Sequence, residues 1–412
     1  MCYSSHVSKD NILHSIINPF KEKSTQTTSS SVFADSKPHY DLLDGLRGVA
    51  ALLVLWYHVF EGYQFAGNQP IIEFMNHGYL AVDFFFILSG FVIGYAYDDR
   101  MRRTLTLGGF FKRRLIRLHP MVMLCAVIGM ITFYVQGGVK WDGTQVATSA
   151  VMLSLLMTMF LLPVLPGTYG EVRGNGEMYP LNGPSWSLFF EYIGNIIYAL
   201  LLSRLSKRAL TVVVSVLAVC VAYITLADVS GYGFYGVGWT LDGVNFLGGF
   251  FRMIFPFSMG ILLSRYFKPA KIRGAFWICT LILLVLFFVP YIPGLKPFCW
   301  NGLYEFCCIA FVFPVVVWIG ASGATTDRFS SRVCKFLGDI SFPLYIIHYP
   351  FMYLFYAWLI KEQLYTFAET WQVATMVCVW NVIAAYACLK LYDEPVRKWL
   401  ARKFINGKST QA

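Results

Sequence analysis

Charge is what this sequence has least of. Only 14% of its 412 residues are Asp, Glu, Lys or Arg, while 57% are hydrophobic and 17% aromatic; a soluble domain carries roughly a quarter charged residues. The shortage excludes an ordinary soluble globule and predicts an all-α, polytopic membrane protein. A formal charge of +10 raises the question of nucleic acid. The Lys and Arg residues, however, fall in short clusters between apolar segments, which is a topology signal, so the expected partner is a lipid bilayer and not nucleic acid. The ten cysteines form no C-x-x-C pair, and Cys125, Cys220, Cys279, Cys307, Cys308, Cys378 and Cys388 lie in apolar runs. They read as packing residues, so neither a disulfide framework nor a metal site is expected. A cleavable signal peptide is missing too, which leaves the first apolar helix to target the chain.

Eleven apolar segments are present, at 46–60, 79–97, 119–136, 148–165, 184–203, 209–227, 243–264, 274–290, 302–320, 339–360 and 370–391. Basic clusters at Arg100–Arg117, Arg204–Arg208, Arg265–Arg273, Arg328–Lys335 and Arg397–Lys408 belong on the cytoplasmic side. That alternation works only if 148–165 does not cross fully. The expectation is therefore a bundle of about ten transmembrane helices with both termini cytoplasmic. Residues 148–165 would be re-entrant or lie on the outer surface, broken by Pro163, Pro166, Gly167 and Gly170. With the polar stretch Gly170 to Asn182, this segment would wall an outward-facing cavity. The polar, Ser- and Thr-rich residues 1–40 read as a disordered cytoplasmic tail, 41–395 as the transmembrane domain and 396–412 as a basic cytoplasmic tail.

Five places carry polar chemistry where lipid disfavours it. In the run Asp44 to His58, eleven positions separate Arg47 from His58, about 16 Å along a helix and about 20° around it. Two readings stand: a shared interior path, or a snorkelling Arg47 with an interfacial His58 beside Trp56 and Tyr57. Asp83, in the apolar run Gly78 to Phe91, falls at a depth similar to His58. An acid beside an imidazole fixes its tautomer as a general base requires; alternatively Asp83 suits a helix N-terminus. Arg114 and Arg117, at i and i+3 where the third segment enters the membrane, offer two guanidinium groups for phosphate, although topology alone explains most of that basic run. Pro184 can start a helix that holds Trp186 and Ser187 and carries Glu191 about two turns inside. Last, His348 follows Tyr345 near mid-membrane, where a lone histidine is often a packing residue. Arg252 lies near the centre of a span and needs a partner, for which Glu191 and Asp83 are the obvious choices.

These runs together resemble acyltransferase family 3, the multi-pass bacterial transmembrane acyltransferases of surface carbohydrates. The resemblance rests on Leu43-Asp44-Gly45-Leu46-Arg47-Gly48 with His58 eleven positions after Arg47, Asp83-Phe84-Phe85-Phe86-Ile87-Leu88-Ser89-Gly90-Phe91, Arg114-x-x-Arg117, Trp186-Ser187-Leu188 with Glu191, and Leu337-Gly338-Asp339-Ile340-Ser341 leading to His348. It covers roughly residues 40–400 in order. It implies an acyl group, usually acetyl, taken from cytoplasmic acyl-CoA (acetyl-CoA) and delivered to a hydroxyl of a cell-envelope or exported carbohydrate, in the bacterial cytoplasmic (inner) membrane. No tightly bound cofactor is implied. It also implies that Arg47 and His58 are essential and that Arg114 and Arg117 serve the donor. The expected catalytic group is His58, Arg47, Asp83 and Glu191, supported by Ser89, Trp186, Ser187, Arg252, Tyr345 and His348. Direct attack by the acceptor is preferred, with an acyl-enzyme on Ser89 left open. The sequence departs from the pattern at Phe189, Phe190 and His119. The rival reading is a proton-coupled transporter or exporter of a small solute that uses the same buried ionisable residues; against it, no internal repeat is evident.

Overall fold

Start signals in the sequence decide where several helices begin. Thr106, Ser206, Asp242 and Asp327 each accept a hydrogen bond from the backbone N–H three residues on. At these caps begin α3 (Leu107–Val135), α6 (Lys207–Leu226), α7 (Gly243–Tyr266) and α11 (Arg328–Glu362). The other helices in this computed structural model are α1 (Asp41–Ala66), α2 (Ala81–Arg103, entered through the single turn Gly78–Leu80), α4 (Thr148–Met159) and α5 (Ser185–Leu200). They are followed by α8 (Ala275–Phe288), α9 (Trp300–Cys307), α10 (Phe313–Ser322), α12 (Phe367–Cys388) and α13 (Glu394–Phe404). The structure describes residues 40–405 except 70, 71, 73, 295–297 and 326. The expected N-terminal tail therefore lies outside the described residues save Tyr40, as do residues 406–412 of the basic C-terminal segment.

Among the described residues no strand forms; only three isolated bridges occur, Val139 with Gln145, Glu177 with Thr240 and Ile272 with Gly323. Among the described residues nine helices, some joined from consecutive elements, are long and apolar enough to cross a membrane, so this is a multi-pass all-α membrane protein. A further apolar helix, α8, has 14 residues, about 21 Å at 1.5 Å per residue and shorter than an ordinary span. Several helices run past the apolar segments that announce them. α3 starts at Leu107 rather than near 119 and α11 at Arg328 rather than near 339, because the caps Thr106 and Asp327 lie upstream of the basic residues. The basic C-terminal segment is helical as far as it is described, since α12 continues into α13 through the π-turn Leu389–Asp393. A second π-turn, Cys308–Val312, joins α9 to α10. Pro314 and Pro395 explain both: each lacks an N–H for the carbonyl four residues back, and the preceding turn widens to accommodate the loss.

The segment 148–165 forms only the 12-residue α4, which ends before Leu161, a non-glycine residue at φ 52°. At about 18 Å it is too short to cross. It packs on α3 through Val151 and Leu155 against Ala126 and Phe133. From there residues 160–184 run back toward α5 as irregular chain.

Two close helix contacts organise the bundle, α1 along α11 and α2 along α7. Small residues make them possible. A methyl on Gly48 would strike the Leu337 carbonyl, and one on Gly90 or Gly260 would strike the backbone of the facing helix at Phe257 or Ile87. Close backbone approach at small residues is how helices associate where lipid tails are as apolar as leucine. The glycines around Arg47 therefore seat α1 against α11, which fixes the register of His58 against the tyrosines of α11.

Candidate active site

α1, α11, the start of α2, α7 and the loops 136–147, 160–184 and 227–242 enclose a cavity of about 410 Å3, within the size range of small-molecule sites. Its wall is largely aromatic. Tyr57, Phe65, Tyr79, Trp141, Trp186, Phe234 and Trp239 line it, with His58, Glu61, Gln64, Asn76, Asn175, Glu177 and Arg252 as the polar groups.

His58 and Glu61 stand one turn apart on α1, so both face the cavity. His58 Nδ1 lies 2.6 Å from Glu61 Oε2. The same oxygen accepts from the Tyr349 hydroxyl at 3.1 Å, and the Tyr356 hydroxyl is 3.0 Å from it and 2.7 Å from the His58 carbonyl. A carboxylate held by Tyr349, with the single Tyr356 O–H shared between it and the His58 carbonyl, fixes the imidazole with its proton on Nδ1 and the lone pair on Nε2. Tyr349, Tyr353 and Tyr356 recur at i, i+4 and i+7 on α11, which puts their rings along one wall. His348 stacks on His58, with ring centroids 5.1 Å apart and planes at 26°. Its Nδ1 is bonded to the Tyr345 carbonyl at 2.8 Å, and its buried Nε2 has no partner among the described residues.

Asp83 is not the partner of His58. Arg252 takes it in a two-pronged pair, Nε to Oδ1 at 3.2 Å and Nη2 to Oδ2 at 2.7 Å, with both side chains buried. A permanent guanidinium matches both carboxylate oxygens at once, whereas an imidazole matches one, and in a dry interior the carboxylate goes to the stronger partner. Two further Arg252 donors reach the Val237 carbonyl at 2.8 Å and the Tyr79 carbonyl at 3.0 Å, and Trp186 covers the guanidinium at 5.2 Å.

Glu191 joins neither Arg252 nor His58. It accepts from Arg114 Nη2 at 2.5 Å and from Ser89 Oγ at 2.9 Å. Arg114 therefore turns inward while Arg117 is exposed, and the two do not form one guanidinium pair. Arg47 pairs with Asp44 one turn before it. Ser187 bonds the Tyr345 hydroxyl at 2.7 Å and ties α5 to α11.

Three acids here went unnoticed in the sequence. Glu61 was readable as His58-x-x-Glu61 had α1 been carried past residue 60. Glu305 is buried between the Tyr79 hydroxyl and the Tyr235 N–H at 2.8 Å, within an apolar helix. Glu177 belongs to the loop 160–184 and reaches the cavity through its bridge to Thr240, a pairing no local pattern announces. Burial pushes the Glu177 carboxyl up to about 7. Among the described residues no three His, Cys, Asp or Glu side chains gather to hold a metal ion.

Residues 40–390 match the acyltransferase domain family. The chain is 36% identical over 183 residues, 43% of its length and 90% of the relative's, to "Protein 2 in picA locus" of Rhizobium radiobacter. It is 24% identical over 356 residues, 81% of its length and 84% of the relative's, to the acyltransferase MdmB of Streptomyces mycarofaciens. To the peptidoglycan O-acetyltransferase OatA of Listeria monocytogenes it is 24% identical over 386 residues, 90% of this chain and 57% of that protein. No solved structure matches the chain.

Proposed function

The chain belongs to the acyltransferase domain family, and from that premise we propose that it is an O-acetyltransferase moving an acetyl group from acyl-CoA to a hydroxyl of a cell-envelope or exported carbohydrate. It works in the bacterial inner membrane with both termini cytoplasmic, the orientation its basic clusters favour. The observation that carries this reading is the bond from His58 to Glu61 in the wall of an aromatic cavity.

His58 Nε2 takes the proton of the acceptor hydroxyl as its oxygen attacks the thioester carbonyl. Glu61 stabilises the imidazolium that forms, and the carbon–sulfur bond breaks. The proton then passes from His58 to the departing thiolate, leaving an ester and free coenzyme A. The donor enters from the cytoplasmic side, where its phosphates meet Arg117, Arg114 and Arg47. Arg117 is exposed to them, whereas Arg114 must exchange Glu191 for a phosphate oxygen. The acyl arm follows the face of α1 that carries Arg47 and His58, about 16 Å apart along the axis. Attack is direct: the carboxylate beside Ser89, Glu191, is engaged on the same oxygen by Arg114, and a guanidinium there makes it a poor base for activating the hydroxyl.

The test is turnover of His58→Gln with acetyl-CoA and membrane glycan, alongside acetyl-CoA binding. Lost transfer with retained binding supports the assignment. Near-normal transfer returns His58 to a packing role.

A further inference from the structure

Glu177 is the acid in this cavity that the proposed reaction leaves unused. It lies in the wall that holds His58, 7% exposed, and nothing in the transfer needs it, because the base already has Glu61. Its position is nonetheless tightly built. Oε1 accepts from Asn175 Nδ2 at 2.8 Å and Oε2 from the Tyr353 hydroxyl. The backbone beside it is pinned by Met178 N–H to the Trp239 carbonyl at 2.9 Å. The loop itself is anchored by Arg173, which is buried with its guanidinium 3.4 Å from the centre of the Tyr353 ring and bonded to Gln136 at 2.8 Å. A carboxylate has about four acceptor positions, and two protein donors leave Glu177 room for hydroxyl donors from a ligand. Trp141 and Trp239 stand in the same cavity, offering flat apolar faces.

We propose that Glu177, steadied by Asn175, selects the acceptor by binding a hydroxyl adjacent to the one His58 deprotonates, so that the enzyme takes a polyhydroxylated ring with neighbouring free hydroxyls. This rests on the reading of the cavity as the seat of a carbohydrate acceptor. A site built to bond a hydroxyl discriminates strongly against a ligand lacking it, because its buried polar group is then left unpaired. The groups facing Glu177 are Tyr349 and Tyr353 of α11, Glu61 of α1 and Arg173 of its own loop. On the adjoining 227–242 loop the nearby acid, Asp242, is engaged by Thr240 and Asn245. With burial holding the carboxyl at about 7, the ionised form, the better acceptor, is lost as pH falls through neutrality.

The experiment uses the full chain in lipid nanodiscs with labelled acetyl-CoA, and cellohexaose and xylohexaose, whose rings carry free 2- and 3-hydroxyls, as probe acceptors. Glu177→Gln is expected to raise the KM for the probe about tenfold, with kcat changed less than about threefold and the acetyl-CoA KM unchanged. Asn175→Ala should move the same constant by less. The wild-type KM for the probe should rise below about pH 7, and that rise should vanish in Glu177→Gln. The unchanged acetyl-CoA KM certifies that each variant is folded. An acceptor KM unmoved in both variants overturns the role of Glu177 and leaves the carbohydrate reading intact, as does a fall in kcat alone. A wild type that transfers acetyl to neither probe overturns both.

Discussion

Two acid–base pairs border the same cavity, Arg252 with Asp83 and His58 with Glu61, and they are built to opposite ends. Arg252 commits four of its five N–H donors to two carboxylate oxygens and two backbone carbonyls. It is a permanent cation with a permanent anion, and it ties α7, α2 and the 227–242 loop together. His58 gives one nitrogen to Glu61 and keeps the other for the cavity. Tyr349 and His58 meet on Glu61 Oε2, with the Tyr356 hydroxyl within reach, so the acid is held while the second imidazole nitrogen stays open. A permanent ion pair holds structure; a pair with one open imidazole nitrogen has the parts to move a proton. The contrast also explains why sharing a depth in the membrane is a poor guide to partnership.

The largest way to break this contrast is at the open pair. His58→Gln should cut kcat by about 10²- to 10⁴-fold, the usual worth of a general base, while acetyl-CoA binding in an equilibrium assay stays as in the wild type. Asp83→Asn should do the reverse. It strands a buried guanidinium, which costs about 3–5 kcal/mol, and thermal unfolding in detergent should report it as a lost or sharply lowered transition. The double variant Asp83→Asn with Arg252→Met should recover much of that loss, since no unpaired charge remains. A stable, inactive Asp83→Asn would instead place that acid in the chemistry.

A smaller effect is expected at the basic end of α3. A charge-assisted phosphate contact is worth roughly 1.5–3 kcal/mol, so Arg117→Ala should raise the acetyl-CoA KM by about tenfold or more without moving the acceptor KM. An unchanged donor constant would make Arg117 a topology marker only.

The helices were legible because apolar runs and basic clusters are local signals, and the shortness of 148–165 was legible from Pro163 and the glycines after it. The residues of the site were legible singly and their pairing was not. His58, Asp83, Arg252, Glu191 and Arg114 all stand out as ionisable groups in or beside apolar sequence. Which acid meets which base depends on the rotation of each helix, and glycine contacts such as Gly48 on Leu337 set that rotation. Spacing alone does not carry it. Glu61 was hidden differently: placing the end of the first apolar run at residue 60 put it in a loop, whereas α1 continues to Ala66 and carries it one turn beyond His58. The Asp44-to-Gly48 motif has a second meaning that its charge obscures, since its glycines make room for α11.

The finest test separates the two tyrosines that hold Glu61. Tyr356 lies within hydrogen-bond distance of both the carboxylate, at 3.0 Å, and the His58 carbonyl, at 2.7 Å, so it couples the acid to the backbone of its own base. Tyr349 reaches the carboxylate alone, at 3.1 Å. Phenylalanine at either place keeps the ring and removes the hydroxyl. A hydrogen bond of this kind contributes about 0.5–1.5 kcal/mol, so each variant should lose about two- to tenfold in kcat, with Tyr356→Phe the more affected. Neither should change the acetyl-CoA KM, because the proposed site for the donor's phosphates is at the other end of α1. If the hydroxyls only filled space, both variants would turn over like the wild type, and Glu61 would be held well enough by His58 alone. If instead Tyr349→Phe proved the more damaging, the hydroxyl that matters would be the one at the edge of the His58 ring, 4.8 Å between ring centres. Orientation of the imidazole, and not of its acid, would then set the rate.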